Sequence, residues 1–348
     1  MFILYHDGKC DKIRVVENKN QPIDFIAIGD IVTDAFIELE NAEVHCDIDH
    51  DNCKLCVNFG DKIPYKDVVV APAVGNSPNA AVSASRLGLT SALVADIGDD
   101  EHGKEDLVSL TRDNVQTKFI KTHTDKKSNY HYVLRFGAER TILIRHERYE
   151  YTLPDIGSPK WIYLSSLGEH SLSFHHEIAK YLTIHPEIKL AFQPGTFQIN
   201  IPYDDIADIY KLTEVFFCNV GEARRILKTG EKDIKKLLAL VRRFGPKIVV
   251  ITDGPKGAYA YNGKEMWQMP MYPDPAPPVD RTGAGDAFSS TFTVALALGK
   301  SIPEALSWGP INSMSVVQEI GAQKGLLTRA QLEKHLAKAP AYYKPKQL

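Results

Sequence analysis

The sequence predicts an α/β fold built on a mainly parallel β-sheet with helices packed over it. Three observations predict it. Short apolar runs, such as Phe25 to Ile28, Lys189 to Phe192 and Val215 to Cys218, have the length of buried strands. Segments of helical periodicity separate them, the spacing of strand–helix–strand units. Glycine-bearing turns close strand after strand, as at Gly29-Asp30 and Asp253-Gly254. With 348 residues and 44% of them hydrophobic, the chain can bury one large core with an appendage, or two.

Residues 1–22 read as an N-terminal extension: a short hairpin (Met1 to Tyr5, a turn at Asp7-Gly8, Lys12 to Val16) and a polar linker through Asn20. The core begins at Phe25. Ile31 to Leu39 alternates as a strand with one solvated face. Asn41 to Lys66 turns polar and cysteine-bearing, and Asp67 to Pro72 resumes as a strand. A helix over Asn79 to Leu87, a strand at Ala92 to Asp96, a helix over His102 to Arg112 and a strand at Thr117 to Lys121 follow. Tyr130 to Phe136 and Thr141 to Arg145 form two strands joined through Gly137 to Arg140, a hairpin with glycine in its loop. Beyond them strands fall at Trp161 to Leu164, Lys189 to Phe192, Val215 to Cys218 and Lys247 to Thr252. Helices fall near Ser171 to Leu182, Glu222 to Leu227, Glu231 to Phe244, Gly285 to Leu298 and Pro303 to Val317, and residues 328–348 hold a C-terminal helix and tail.

The stretch Asp280-Arg281-Thr282-Gly283-Ala284-Gly285-Asp286 runs directly into an apolar helical segment. A helix N-terminus leaves backbone N–H groups unpaired and favours anions. Gly283, Ala284 and Gly285 bare those groups to a phosphate. A carboxylate beside a phosphate site repels the ligand. Asp286 has a use there only if a hydroxyl must lose its proton while attacking a phosphoryl group.

This stretch resembles the D-T-x-G-A-G-D signature of the ribokinase-like (PfkB-type) carbohydrate kinase family, with Arg281-Thr282 as a small departure. Gly75-Asn76-Ser77-Pro78-Asn79, leading into Ala84-Ser85-Arg86-Leu87-Gly88, resembles the family's N-terminal signature, and the likeness spans roughly Asp24 to Leu327. The resemblance implies a three-layer α/β/α sandwich over residues 23–327 with a small β-sheet lid formed by about 33–72 and 129–146. It implies ATP and magnesium as cofactors, with a monovalent cation beside them. It makes Asp286 the general base, and Asp34, Gly75, Asn76 and Asn79 the acceptor-binding residues. Asn219 and Glu222 match the family's N-x-x-E motif, which holds magnesium through water. An asparagine N-cap with glutamate in the first turn explains the same pair structurally. Thr252, Gly254 and Gly257 lie where the family places nucleotide, and Asn312 where it places a residue near the adenine. The acceptor is then a sugar or sugar-like molecule, with a nucleoside or sugar phosphate as the alternative and a non-catalytic sensor as a rival. Lid strands with an uncovered apolar face suggest a homodimer through the lids. Arg135, Arg140, Arg145 and Arg148 serve solubility, or one of them clamps a charged acceptor group.

The family pattern does not account for the segment from His45 to Cys56, which holds three of the five cysteines. Cys53-x-x-Cys56, with Cys46 and His45 or His50, has the makings of a structural zinc site. A reduced hairpin, or a Cys46–Cys53 bridge under oxidation, is the alternative. A net charge of −3 with no basic stripe speaks against nucleic acid, and no apolar run is long enough to span a membrane. Phe2 to Tyr5 is too short for a signal peptide, so the expectation is a cytoplasmic protein with reduced thiols.

Overall fold

The structure is a computed structural model and describes residues 22–47, 53–137 and 139–348. The expected N-terminal hairpin lies outside the described residues, as do His50 and the Ala138 turn position. The chain opens with β1 (Phe25–Ile28), β2 (Val32–Leu39), the short pair β3 (Glu43–His45) and β4 (Lys54–Cys56), and β5 (Tyr65–Val74). Next come α1 (Asn76–Arg86), β6 (Ser91–Gly98), α2 (Glu101–Arg112), β7 (Val115–His123), β8 (Asn129–Phe136) and β9 (Glu139–Leu143). The middle holds β10 (Trp161–Leu164), α3 (Leu172–Ile184), β11 (Lys189–Phe192), α4 (Thr196–Asn200), α5 (Ala207–Leu212) and β12 (Thr213–Asn219). Then follow α6 (Val220–Leu227), α7 (Ile234–Arg242), β13 (Ile248–Thr252), β14 (Ala258–Tyr261) and β15 (Met266–Met269). The chain ends with α8 (Ala284–Ala297), α9 (Ile302–Val316), α10 (Arg329–Ala337) and β16 (Lys346–Gln347).

Ten strands form the main sheet in the order β16-β15-β14-β13-β12-β11-β10-β1-β6-β7. Every neighbouring pair from β13 to β7 is parallel, and β14, β15 and β16 add antiparallel at one edge. That edge was not foreseen in the sequence; Asn262 turns it, accepting hydrogen bonds from the N–H groups of Lys264 and Glu265 at 2.9 and 2.8 Å. Alternate residues of the buried strand β1 belong to opposite layers. Phe25 and Ala27 join the apolar cluster that includes α1, α8 and α9, while Ile26 and Ile28 join the one that includes α3 and α7. The result is the expected three-layer α/β/α arrangement. Helix α8 is buried from Asp286 through Ala295, which its small and apolar residues allow.

The lid is a separate four-stranded sheet in the order β5-β2-β8-β9, built from the two predicted pieces. Its register puts Asp34 beside His131 and Ala71 on one face, and Ala35 beside Val70 and Tyr132 on the other. Tyr132 in turn pairs with Leu143, and Val70, Tyr132 and Leu143 are 48%, 49% and 52% exposed. The outer lid face is therefore apolar and bare.

Asp106 of α2 anchors the root of the lid. Its buried carboxylate accepts the Thr33 hydroxyl at 3.1 Å and the Ala73 N–H at 2.6 Å through one oxygen, while the other has no hydrogen bond among the described residues. Ala73 takes a left-handed backbone, φ 57°, to offer that N–H. Burial is the largest influence on Asp106 and pushes its pKa up to about 7. The folded state thus holds a proton that the unfolded chain has already released, so stability falls as pH rises from about 4 to 7 and then levels. We expect Asp106→Asn to lose this slope, worth on the order of a few kcal/mol. Melting curves of both proteins at pH 5 and pH 8 should show a smaller pH gap in the variant.

Candidate active site

The centre of the site is the start of α8. Gly283 caps the helix in a left-handed conformation, φ 78°, and no side chain caps its N-terminus. A Cβ on Gly283 would lie 2.3 Å from that of Ala322, so only glycine fits. At Gly285 the space a Cβ would enter is open, with Gln193 Nε2 the nearest atom at 4.0 Å. The N–H groups of the first turn lie at this end of the helix, that of Ala284 making a long 3.5 Å bond to the Arg281 carbonyl.

Asp286 lies in this first turn and is 9% exposed. Asn76 Nδ2 donates to its Oδ1 at 2.7 Å, Gln193 Nε2 donates to the same oxygen at 3.1 Å, and Asn79 Nδ2 donates to Oδ2 at 2.8 Å. Three amides thus fix the rotamer of one carboxylate. Two of the three are themselves oriented. Gln323 donates to Asn79 Oδ1 at 3.0 Å, and the Tyr163 hydroxyl donates to Gln193 Oε1. Burial, with the charge of Asp286 nearby, pushes the Tyr163 phenol well above its ordinary pKa, so it remains a donor and keeps the Gln193 amide nitrogen turned to Asp286. The sequence reading missed Gln193 and Tyr163. The available signal was position, since Gln193-Pro194-Gly195 follows the carboxyl end of β11, where such sheets bind ligands.

Gly75, φ 117°, precedes α1, and a Cβ there would lie 2.9 Å from the Asp30 carbonyl oxygen. Asp34 stands on the inner lid face beside His131, whose Nδ1 lies at ion-pair distance, 3.3 Å, from its Oδ1, and that oxygen accepts no hydrogen bond among the described residues. A buried carboxylate oxygen without a donor is suited to a ligand hydroxyl.

On the other side of the cradle lies a cavity of about 390 Å³ whose lining includes Thr252, Gly254, Gly257, Ala284, Gly285 and Ser313. Gly257 is forced, because a Cβ would meet the Met269 carbonyl oxygen at 2.0 Å. Asn312 does not line this cavity. It is fully buried, donates to Thr291 Oγ1 at 2.8 Å and accepts the Leu327 N–H at 2.9 Å, so it ties α9 to α8 and to residue 327. Asn219 and Glu222 form a capping box, with both N–H to carbonyl or carboxylate distances 2.8 Å, so the structural explanation of this pair holds. Burial, followed by the Asp286 charge among the raising influences, pushes the Glu222 pKa up.

The zinc expectation meets a different arrangement. Cys46 and Cys53 are joined in a disulfide, so two of the four expected ligands are not thiolates. Cys56 is a free, half-buried thiol, and exposed His45 pairs with Glu43. Among the described residues no group of three or more histidine, cysteine or acidic side chains is gathered to hold a metal ion. The expectation of reduced thiols fails at the same pair. The lid arginines also divide, since buried Arg135 donates to the Val279 carbonyl at 3.3 Å while Arg145 and Arg148 are exposed.

The family model for pfkB family carbohydrate kinases matches residues 45–329. The chain belongs to that family. Its members are phosphotransferases with a hydroxyl acceptor that use ATP and magnesium, and this chain is a sugar or nucleoside kinase of the ribokinase type. It is 30% identical to the ribokinase of Bacillus subtilis over 273 residues, covering 76% of this chain and 87% of the relative. The fold is similar to that of Arabidopsis thaliana ribokinase complexed with ribose and ATP, with TM-score 0.76 at 20% identity, covering 91% of this chain and 99% of that one. It is also similar to the nucleoside kinase of Methanocaldococcus jannaschii, with TM-score 0.73 at 16% identity and the same two coverages of 91% and 99%. Among the described residues no helix is long and apolar enough to cross a membrane.

Proposed function

We propose that this kinase transfers the γ-phosphoryl group of ATP to a hydroxyl of a sugar or sugar-like small molecule, with Asp286 as the general base. The observation that carries the reading is the meeting at one point of an uncapped helix N-terminus and a carboxylate gripped by Asn76, Asn79 and Gln193. The first-turn N–H groups at Gly283, Ala284 and Gly285 hold the transferring phosphoryl group as charge develops on it. Asp286 takes the proton of the attacking hydroxyl. Asp34, through its unpartnered oxygen, and the Gly75 to Asn79 segment position the acceptor. Thr252, Gly254 and Gly257 face the nucleotide.

Magnesium, when bound, neutralises phosphate charge. Glu222 suits it: one carboxylate oxygen is committed to the Asn219 N–H, and Asp286 adds to the cost of its charge, which a dication would relieve. A monovalent cation and zinc have no part in this reading. The kinase domain is residues 23–327 with its lid at about 33–72 and 129–146, followed by α10 and the tail. We place the protein in the cytoplasm, where ATP is at hand. A thermal-shift panel of sugars, sugar phosphates and nucleosides with a non-hydrolysable ATP analogue tests the acceptor class. Stabilisation by an uncharged sugar or a nucleoside is expected, and stabilisation by sugar phosphates alone would contradict the reading.

The bare outer lid face, where Val70, Tyr132 and Leu143 lie in one row across the sheet with buried Ala35 between the first two, supports a homodimer through the lids. Light scattering at micromolar concentration should give twice the chain mass, and Tyr132→Lys should halve it. A wild-type monomer would remove the dimer from the account.

A further inference from the structure

Beside the acceptor segment lies a set of contacts that catalysis does not use. Asp30, directly after β1 and 6% exposed, accepts the Tyr151 hydroxyl at 2.8 Å on Oδ1 and faces His146 Nδ1 at 2.9 Å on Oδ2. Tyr151 is fixed in turn: its oxygen accepts the Gly168 N–H at 3.0 Å and its ring stacks on His170 and Phe174 at 5.1 and 5.6 Å. Burial and the Asp30 charge keep the Tyr151 phenol protonated, so it donates to Asp30. A carboxylate only accepts, so His146 must carry its proton on Nδ1. Nδ1 is committed to Asp30, His146 lines a cavity of about 630 Å³, and no hydrogen bond engages its Nε2 among the described residues. Glu147, Arg148, Glu169, His170 and Phe197 also line that cavity. The His146 ring is 5.1 Å from that of His131, the neighbour of Asp34, and meets the edge of Phe197 at 6.0 Å. The Asp30 carbonyl lies against Gly75, so the residue that orients His146 also touches the acceptor segment. A monosaccharide bound at Asp34 and Asp286 would leave it unused.

We propose that His146, oriented by Asp30 and Tyr151, is a specificity-determining residue whose Nε2 reads a hydrogen-bonding group on the acceptor beyond the phosphorylated ring. The acceptor class is a sugar bearing a flat, polar substituent, because the walls offer the rings of His146, His170 and Phe197 together with charged groups of both signs. This deepens the kinase reading and rests on it.

The test measures affinity by calorimetry with ADP and magnesium present, so it does not depend on turnover. The probes are ribose, cytidine and adenosine. One hydrogen bond to a polar partner is worth about tenfold in affinity. The better nucleoside should bind the wild type at least about tenfold tighter than ribose, and His146→Ala should remove most of that margin. His146→Gln, which returns a polar atom near Nε2, should restore part of it, and Tyr151→Phe should lose part of it by freeing the ring. Equal weakening of ribose and nucleosides in His146→Ala, or a wild type that binds ribose as tightly as both nucleosides, overturns the inference. Binding with the predicted margin but no phosphoryl transfer would count against the kinase reading and leave the role of His146 in recognition supported.

Discussion

Asp286→Asn is expected to lower turnover by about a hundred- to ten-thousandfold, the range general base catalysis supplies. The loss should fall on kcat, because the variant keeps the uncapped N-terminus of α8 that holds the phosphoryl group. A secondary cost follows from the cage. Asn76 and Gln193 donate to one oxygen and Asn79 to the other, so an asparagine side chain must turn its own N–H toward at least one donor. That conflict should cost about 1–3 kcal/mol of stability. Steady-state kinetics and a melting curve separate the two effects. Turnover near that of the wild type would remove Asp286 as the base.

Gly283→Ala should be nearly as damaging, by another route. The position has φ 78°, and the new Cβ would have to occupy space 2.3 Å from the Ala322 Cβ and 2.6 Å from its Cα. Backbone strain and overpacking together should cost about 2–4 kcal/mol. Relief requires the helix N-terminus or the Ala322 loop to move, and a shift of about 1 Å in a positioning element can cost a hundredfold in rate. We expect a lower melting temperature together with at least about a tenfold fall in kcat. A variant that melts early yet turns over normally would show that the cradle is not where Gly283 puts it.

The parts of this site written as contiguous strings were legible in the sequence. The Gly283 to Asp286 turn and the Gly75 to Asn79 segment are local, and each binds backbone geometry to a helix start. Lid strands were legible too, because β2, β5 and β8 alternate in polarity or run apolar at strand length. The contacts that complete the site are not local. Gln193 meets Asp286 across 93 residues and His146 meets Asp30 across 116, and no spacing rule links such pairs. Asn312 is buried and hydrogen-bonded within the core, and a buried, satisfied asparagine and a ligand-facing one look alike in sequence. The cysteines divided: Cys53-x-x-Cys56 fits a thiolate pair, but the bond present is the Cys46–Cys53 bridge that the sequence left as the alternative to zinc. The Asn219 and Glu222 pair is a capping box, which the sequence alone could also read as a family motif.

The central claim is phosphoryl transfer to a hydroxyl at Asp286. Phosphorus NMR of the protein with ATP, magnesium and a panel of sugars and nucleosides measures it directly. The account predicts a new phosphomonoester resonance growing in step with ADP for at least one acceptor, and its near disappearance in Asp286→Asn. ADP released only with inorganic phosphate, or a phosphomonoester formed equally well by the variant, would contradict it.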